Sequence, residues 1–155
     1  MAEELLRSAC MSEKADFLID LIAQGFNPRD LKDQGSFLIR ACLRNFWWAS
    51  GFDWNNRERK KNIDSDRSRE TIKTIHVLAK QGAKWLPADR GEINDARRSL
   101  LKLNVDYTIE FAWIMSKYNS CSRETIEQLL KTPTIRRHIA GHQSRINELL
   151  NEFSA

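Results

Sequence analysis

The side chains that could do chemistry are few and, with one exception, scattered. His138 and His142 stand four residues apart, a spacing that puts two imidazoles on one helix face, as some zinc sites do. Gly141 lies between them, no glutamate follows His138 in the His-Glu-x-x-His manner, and the sequence suggests no third ligand. The pair therefore reads as surface histidines, and no metal or other cofactor is expected. His76 lies within an apolar helical stretch and is expected at a core or boundary position. Cys10, Cys42 and Cys121 are odd in number, widely spaced and each set in an apolar pattern, which fits small buried hydrophobes in a reducing, cytoplasmic setting. Nucleophilic catalysis needs an activated serine or cysteine beside a base, yet there is no Gly-x-Ser-x-Gly elbow and no cysteine in a catalytic-type context. Phosphate-cradling glycine loops are absent as well. The carboxylate pairs Glu3-Glu4 and Asp64/Asp66 fall in polar segments, where solvated charge is the ordinary reading. On these grounds the chain is expected not to be an enzyme and to have no small-molecule substrate.

The exception lies at 46–69. Phe46, Trp47, Trp48, Phe52 and Trp54 are five aromatics within nine residues, followed by Arg57, Arg59, Lys60, Lys61, Arg67 and Arg69. Flat faces for bases beside cations for phosphates are what single-stranded nucleic acid requires. Tryptophan and arginine are equally the residues enriched at protein-interface hot spots. A third reading has Trp47 and Trp48 finishing a core helix while the rest folds over it with its charges in water.

The elements that position these residues are helical nearly throughout. Helical periods run over 13–24, with Ser12 ahead as N-cap and Gly25 as stop, over 36–48, over 69–81 stopped by Gly82, over 93–103 and over 106–118. The 106–118 helix is apolar on most sides and should lie centrally. Ser122 caps a short helix, Thr132-Pro133 opens another, and a last period spans 143–153. No stretch alternates apolar and polar for five residues, so the class is all-α. Residues 49–67 lack a period and read as a long exposed loop.

The whole-chain figures agree. The 155 residues fit a single domain over 1–155, long enough to bury a core without disulfides or metal. The net charge of +4 is mild, and a mean hydropathy of −0.56 with no long apolar run excludes a membrane span. The N-terminal Met1-Ala2-Glu3-Glu4 is acidic where a signal peptide would be basic.

Two stretches repeat. Ile19-Asp20-Leu21-Ile22-Ala23-Gln24-Gly25 aligns with His76-Val77-Leu78-Ala79-Lys80-Gln81-Gly82 on the glycines, and in each a ten-residue turn leads to a further helix. This arrangement resembles the ankyrin repeat. Lys32-Asp33-Gln34-Gly35-Ser36-Phe37-Leu38-Ile39-Arg40-Ala41-Cys42 is similar to the family's Asp-x-x-Gly-x-Thr-Pro-Leu-His-x-Ala-Ala opening, with Phe37 for proline and Ile39 for histidine, and Gly82-Ala83 is similar to its Gly-Ala turn. The 57 residues between Gly25 and Gly82 exceed a period of about 33, an excess that the 49–67 insertion and a longer helix would absorb.

The resemblance implies about three degenerate stacked hairpins over residues 3–118, with 119–155 as a helical cap. It also implies a docking face. Arg40 and Arg97 share the register that faces the family's concave groove, and Arg44, Arg98 and Lys102 extend a basic stripe. The expected function is an adaptor-type protein-interaction module. It would hold a partner, such as an acidic segment, through this basic face and through Trp48, Trp54, Arg57, Arg59, Lys60 and Lys61 of the insertion. Nucleic-acid binding through 46–69 is the alternative, and a solubilising helix face is the plainer reading of the arginines.

Overall fold

The computed structural model describes residues 2–12, 14–49, 52, 53, 58, 59, 65–101, 105–133, 135 and 137. For 45–49, 52, 53, 58, 59, 65, 66, 105 and 106 only the backbone path is described. Among the described residues seven α-helices follow one another: α1 (Ala2–Cys10), α2 (Asp16–Ala23), α3 (Ser36–Ala49), α4 (Ser65–Lys80), α5 (Arg90–Leu101), α6 (Val105–Lys117) and α7 (Arg123–Leu130). The all-α class holds. Between α3 and α4, two-residue strands β1 (Phe52–Asp53) and β2 (Glu58–Arg59) pair antiparallel, with Phe52 opposite Arg59. The segment expected as a plain loop over 49–67 thus contains a hairpin ladder, and helix claims both its ends.

Three helices end in the same way. Gly25 at φ +100° and Gly82 at φ +92° occupy the left-handed region that side chains disfavour. At the first turn the Gly25 N–H bonds the Ile22 carbonyl at 3.0 Å and the Phe26 N–H the Leu21 carbonyl at 3.1 Å. Gly82 to Ala79 and Ala83 to Leu78, both 3.0 Å, repeat it after α4. Asn119, at φ +51°, makes the third copy after α6, with Asn119 to Ser116 at 3.1 Å and Ser120 to Met115 at 2.8 Å. These paired bonds satisfy the last carbonyls of each helix and turn the chain sharply.

That shared turn sets the layering. Helices α1, α3, α5 and α7 pack side by side in chain order as one row, while α4 and α6 pack together behind it with α2 flanking α4. The connecting turns bind one another as well. The Lys84 N–H donates to the Gln34 carbonyl at 2.9 Å, the Trp85 N–H to the Ser120 carbonyl at 2.7 Å, and the Leu86 N–H to Ser36 Oγ at 2.9 Å. Between the rows lies a continuous core that includes Leu6, Leu18, Leu38, Ile75, Leu100, Phe111 and Met115. Trp85 is fully buried there, edge-on to Phe111 with ring centroids 5.1 Å apart. Burial of each such side chain contributes about 1.5–3 kcal/mol. The apolar α6 runs through the middle, touching α4, α5 and α7, as its pattern required.

Helix boundaries differ from the sequence reading in physically simple ways. Ser12 does not cap α2. Its hydroxyl donates to the Ala9 carbonyl at 2.7 Å and closes α1, a helix with no clear period in the sequence. The N-cap of α2 is Ala15, which has no capping side chain, and its N–H is taken by Glu70 Oε2 of α4 at 2.8 Å. Ser122 caps α7 through the Thr125 N–H as expected, and Thr132 Oγ1 accepts from the Ile135 N–H. The period over 143–153 lies outside the described residues.

Candidate functional site

The front row carries a cavity of about 480 Å³ between α3 and α5. Arg40, Leu43 and Arg44 form its α3 wall, Glu92 and Asp95 line the α5 wall, and Trp85 contributes to the base. The local sequence explains the position of each wall. Asp33 accepts from the Gly35 N–H at 3.0 Å and the Phe37 N–H at 2.8 Å, which fixes the start of α3 one turn before Arg40. Asp89 accepts from the Glu92 N–H at 2.9 Å while Glu92 Oε2 accepts from the Ala88 N–H at 2.7 Å. These two bonds satisfy orphan donors at the start of α5 and hold the Glu92 carboxylate at the cavity wall.

Arg40 then bridges the two helices. Its guanidinium lies 3.4 Å from Glu92 Oε1 and stacks over the Phe37 ring at 5.1 Å, with Arg7 over the same ring at 4.8 Å. The pair is half in solvent on the arginine side and nearly buried on the glutamate side, so it is worth about 1 kcal/mol or less. Arg44, one turn on, is exposed and has no ion-pair partner among the described residues.

The remaining predicted site residues scatter. Arg97 stands in the register of Arg40, and like Arg40 it reaches the next helix of the row. There it binds main chain: Nε donates to the Leu129 carbonyl at 3.0 Å and a second guanidinium nitrogen donates to the Gln128 carbonyl. Partial burial draws its pKa below the ordinary arginine value. Arg98 points into solvent, 4.0 Å from Asp95. The arginines are therefore not one basic stripe. Arg40 and Arg97 are both engaged between helices, and three carboxylates, those of Asp89, Glu92 and Asp95, line the cavity beside two guanidiniums.

Of the insertion residues, Trp48 lies on the α3 backbone and Arg59 on β2, their side chains outside the described set. Trp54, Arg57, Lys60, Lys61 and Lys102 lie outside it entirely, as do His138 and His142.

Elsewhere, among the described residues no group of three metal-ligating side chains converges, and no helix is long and apolar enough to cross a membrane. The three cysteines are free and buried. Cys42 lies beside Cys10, and that neighbouring thiol together with burial holds its pKa well above the ordinary value. Burial pushes the Cys121 thiol up to about 12.

The sequence reading did not anticipate the surroundings of His76. Its Nε2 and the Tyr118 hydroxyl share a hydrogen bond of 2.5 Å, and the rings tilt at 57°. Lys117 sits over the Trp113 and Tyr118 rings at 4.8 and 5.5 Å. A second cavity, of about 350 Å³, opens on the back of the molecule between α2 and α4, with His76 in its wall. No motif marks this place, because its parts come from three helices. Comparison with protein-family models, with curated proteins and with solved structures finds no match.

Proposed function

We propose that this chain is a non-enzymatic protein-interaction module, an ankyrin-like stack of degenerate helical hairpins that docks a partner segment in the cavity between α3 and α5. The observation that carries the reading is the threefold recurrence of one turn, at Gly25, Gly82 and Asn119, ahead of helices that then pack in one row. A row made this way presents side chains at a regular interval on a single face, which suits an extended or helical segment of another protein. The two cavity walls also narrow the partner. With basic residues on α3 and acidic residues on α5, the fitting segment offers a carboxylate to Arg44 and a cation to Asp95, across apolar contact with Leu43. A purely acidic segment would meet Glu92, Asp95 and Asp89 at close quarters, a like-charge arrangement that selects against it.

Affinity capture from native extract with the intact chain, repeated with Arg44→Glu and Asp95→Lys, tests this. Both residues are exposed, so the fold should survive. The reading expects the same captured protein to be lost from both variants and regained, in part, in the double charge swap. A captured set unchanged by either variant overturns it. Oligonucleotide binding whose log affinity falls by about 0.7–0.9 per phosphate contact for each log unit of salt would support the alternative nucleic-acid role of 46–69.

A further inference from the structure

We propose that the cavity on the back of the molecule, between α2 and α4, is a second docking site, which takes an acidic amphipathic helix from a protein partner. It is independent of the α3/α5 cavity and does not rest on that reading. Ile19 and Ile22 of α2 and Val77 of α4 supply its apolar surface, while Lys73, His76 and Lys80 line it from α4. Among the described residues, no carboxylate lines it. Neither lysine is in an ion pair with a described residue, and both are exposed. Ile19 carries this apolar surface outward, with 39% of its area exposed. Large apolar side chains left open beside unneutralised lysines are what an amphipathic partner of opposite charge would cover.

The spacing sets the partner's pattern. Lys73 and Lys80 are seven residues apart on one helix, hence about 10.5 Å along its axis at 1.5 Å per residue. His76 and Val77 fall between them on the same face. A docked helix lying along α4 meets both lysines when it carries carboxylates at positions i and i+7. Its residues at i+3 and i+4 then lie over the recess, where leucine-sized side chains fill a cavity of about 350 Å³. The recess also argues for a side chain over a lipid surface. A bilayer covers protruding apolar groups and cannot reach into a pocket between two helices.

The probe is a labelled alanine-based peptide of about 15 residues, long enough to hold helix, with glutamate at i and i+7 and leucine at i+3 and i+4. Its companion has lysine in place of both glutamates. Fluorescence anisotropy with the intact chain should show binding of the acidic probe, weakening with added salt, and none of the basic one. Lys73→Glu with Lys80→Glu should lower affinity at least about tenfold, and Ile19→Asp should lower it comparably. Lys73→Gln with Lys80→Gln gives a smaller loss and guards against a folding defect in the double charge reversal. Arg44→Glu should leave the binding unchanged, which separates this site from the front cavity. Equal binding of both probes, or affinity indifferent to the lysine pair, overturns the proposal. So does association with phosphatidylserine-containing vesicles in the absence of probe binding.

Discussion

Arg97 Nε donates to the Leu129 carbonyl at 3.0 Å, so a side chain of α5 closes the C-terminal end of α7. A second guanidinium nitrogen takes the Gln128 carbonyl, and a third holds Asn94 Oδ1 at 2.9 Å. The last carbonyls of a helix lack intrahelical donors and carry the negative end of its dipole, so a cation placed there both satisfies and neutralises them.

Removal of this contact should loosen the end of the stack. Arg97→Ala is expected to cost about 1–3 kcal/mol, the range for losing charge-assisted hydrogen bonds at partly buried acceptors. Arg97→Lys keeps the charge, but not the fork that spans two carbonyls, and should recover only part of it. Arg98→Ala, at a side chain 75% exposed, should stay within about 0.5 kcal/mol of the parent. Urea unfolding of the three variants checks the order. Equal effects at 97 and 98 would show that the α7 contact carries no stability.

The hairpin turns offer a finer comparison. At Gly25 an added Cβ would meet nothing within 4 Å, so Gly25→Ala tests the left-handed backbone alone and should cost about 1–2 kcal/mol. At Gly35, φ +86°, the same atom would lie 3.0 Å from Ala83 Cβ and 3.3 Å from the Pro28 carbonyl oxygen. Gly35→Ala therefore adds a clash between two neighbouring turns to the backbone cost, and should be the worse of the two. Asn119→Gly should be neutral or mildly stabilising, since asparagine already tolerates this conformation and glycine removes the residual strain. Thermal denaturation ranks all three.

These turns also show what could be read from the sequence and what could not. Gly25 and Gly82 announce the ends of α2 and α4 because only glycine enters that region freely, so aligning the two glycines located the hairpins. Asn119 performs the same task without that signal, so the third turn shows itself in the bond from the Ser120 N–H to the Met115 carbonyl rather than in the sequence. Helix α1 is not legible in the sequence because its buried stripe is only Leu6, Ala9 and Cys10, too short to establish a period. The sites were harder still. The register that places Arg40 and Arg97 alike was legible, but register does not reveal that one meets a carboxylate and the other two carbonyls. The pairing of His76 with Tyr118, 42 positions away, depends on how α4 packs against α6.

His76 makes stability depend on pH. Burial, then the nearby charges of Lys117 and Lys80, lowers its pKa below the ordinary value of 6.5, with Glu110 opposing. The unfolded chain therefore takes up this proton at a higher pH than the folded one. The contribution of His76 is fully present above about pH 6.5 and is lost as pH falls through that value toward the folded pKa. Unfolding free energies measured between pH 7.5 and about 5.5 should decline in the parent and decline less in His76→Gln. Identical slopes would mean that Tyr118 holds the imidazolium as well as the neutral ring.

The thiols should act at the other end of the scale. Cys121 is pushed up to about 12, chiefly by burial with Lys84 opposing, and Cys42 is raised by the Cys10 thiol and its own burial. In the unfolded chain these groups ionise near pH 8.5, while the folded protein keeps their protons, so stability should fall as pH rises beyond about 8.5. A thiol-reactive disulfide dye should accordingly find no fast-reacting cysteine in the native chain at about pH 8, because the thiolate is the nucleophile and all three are buried. Labelling should proceed at the rate set by opening of the fold, and urea below the unfolding midpoint should accelerate it for Cys42 and Cys121 together if the stack opens as one unit. Much earlier labelling of Cys121 would instead place the α6–α7 turn in a separate, weaker unit.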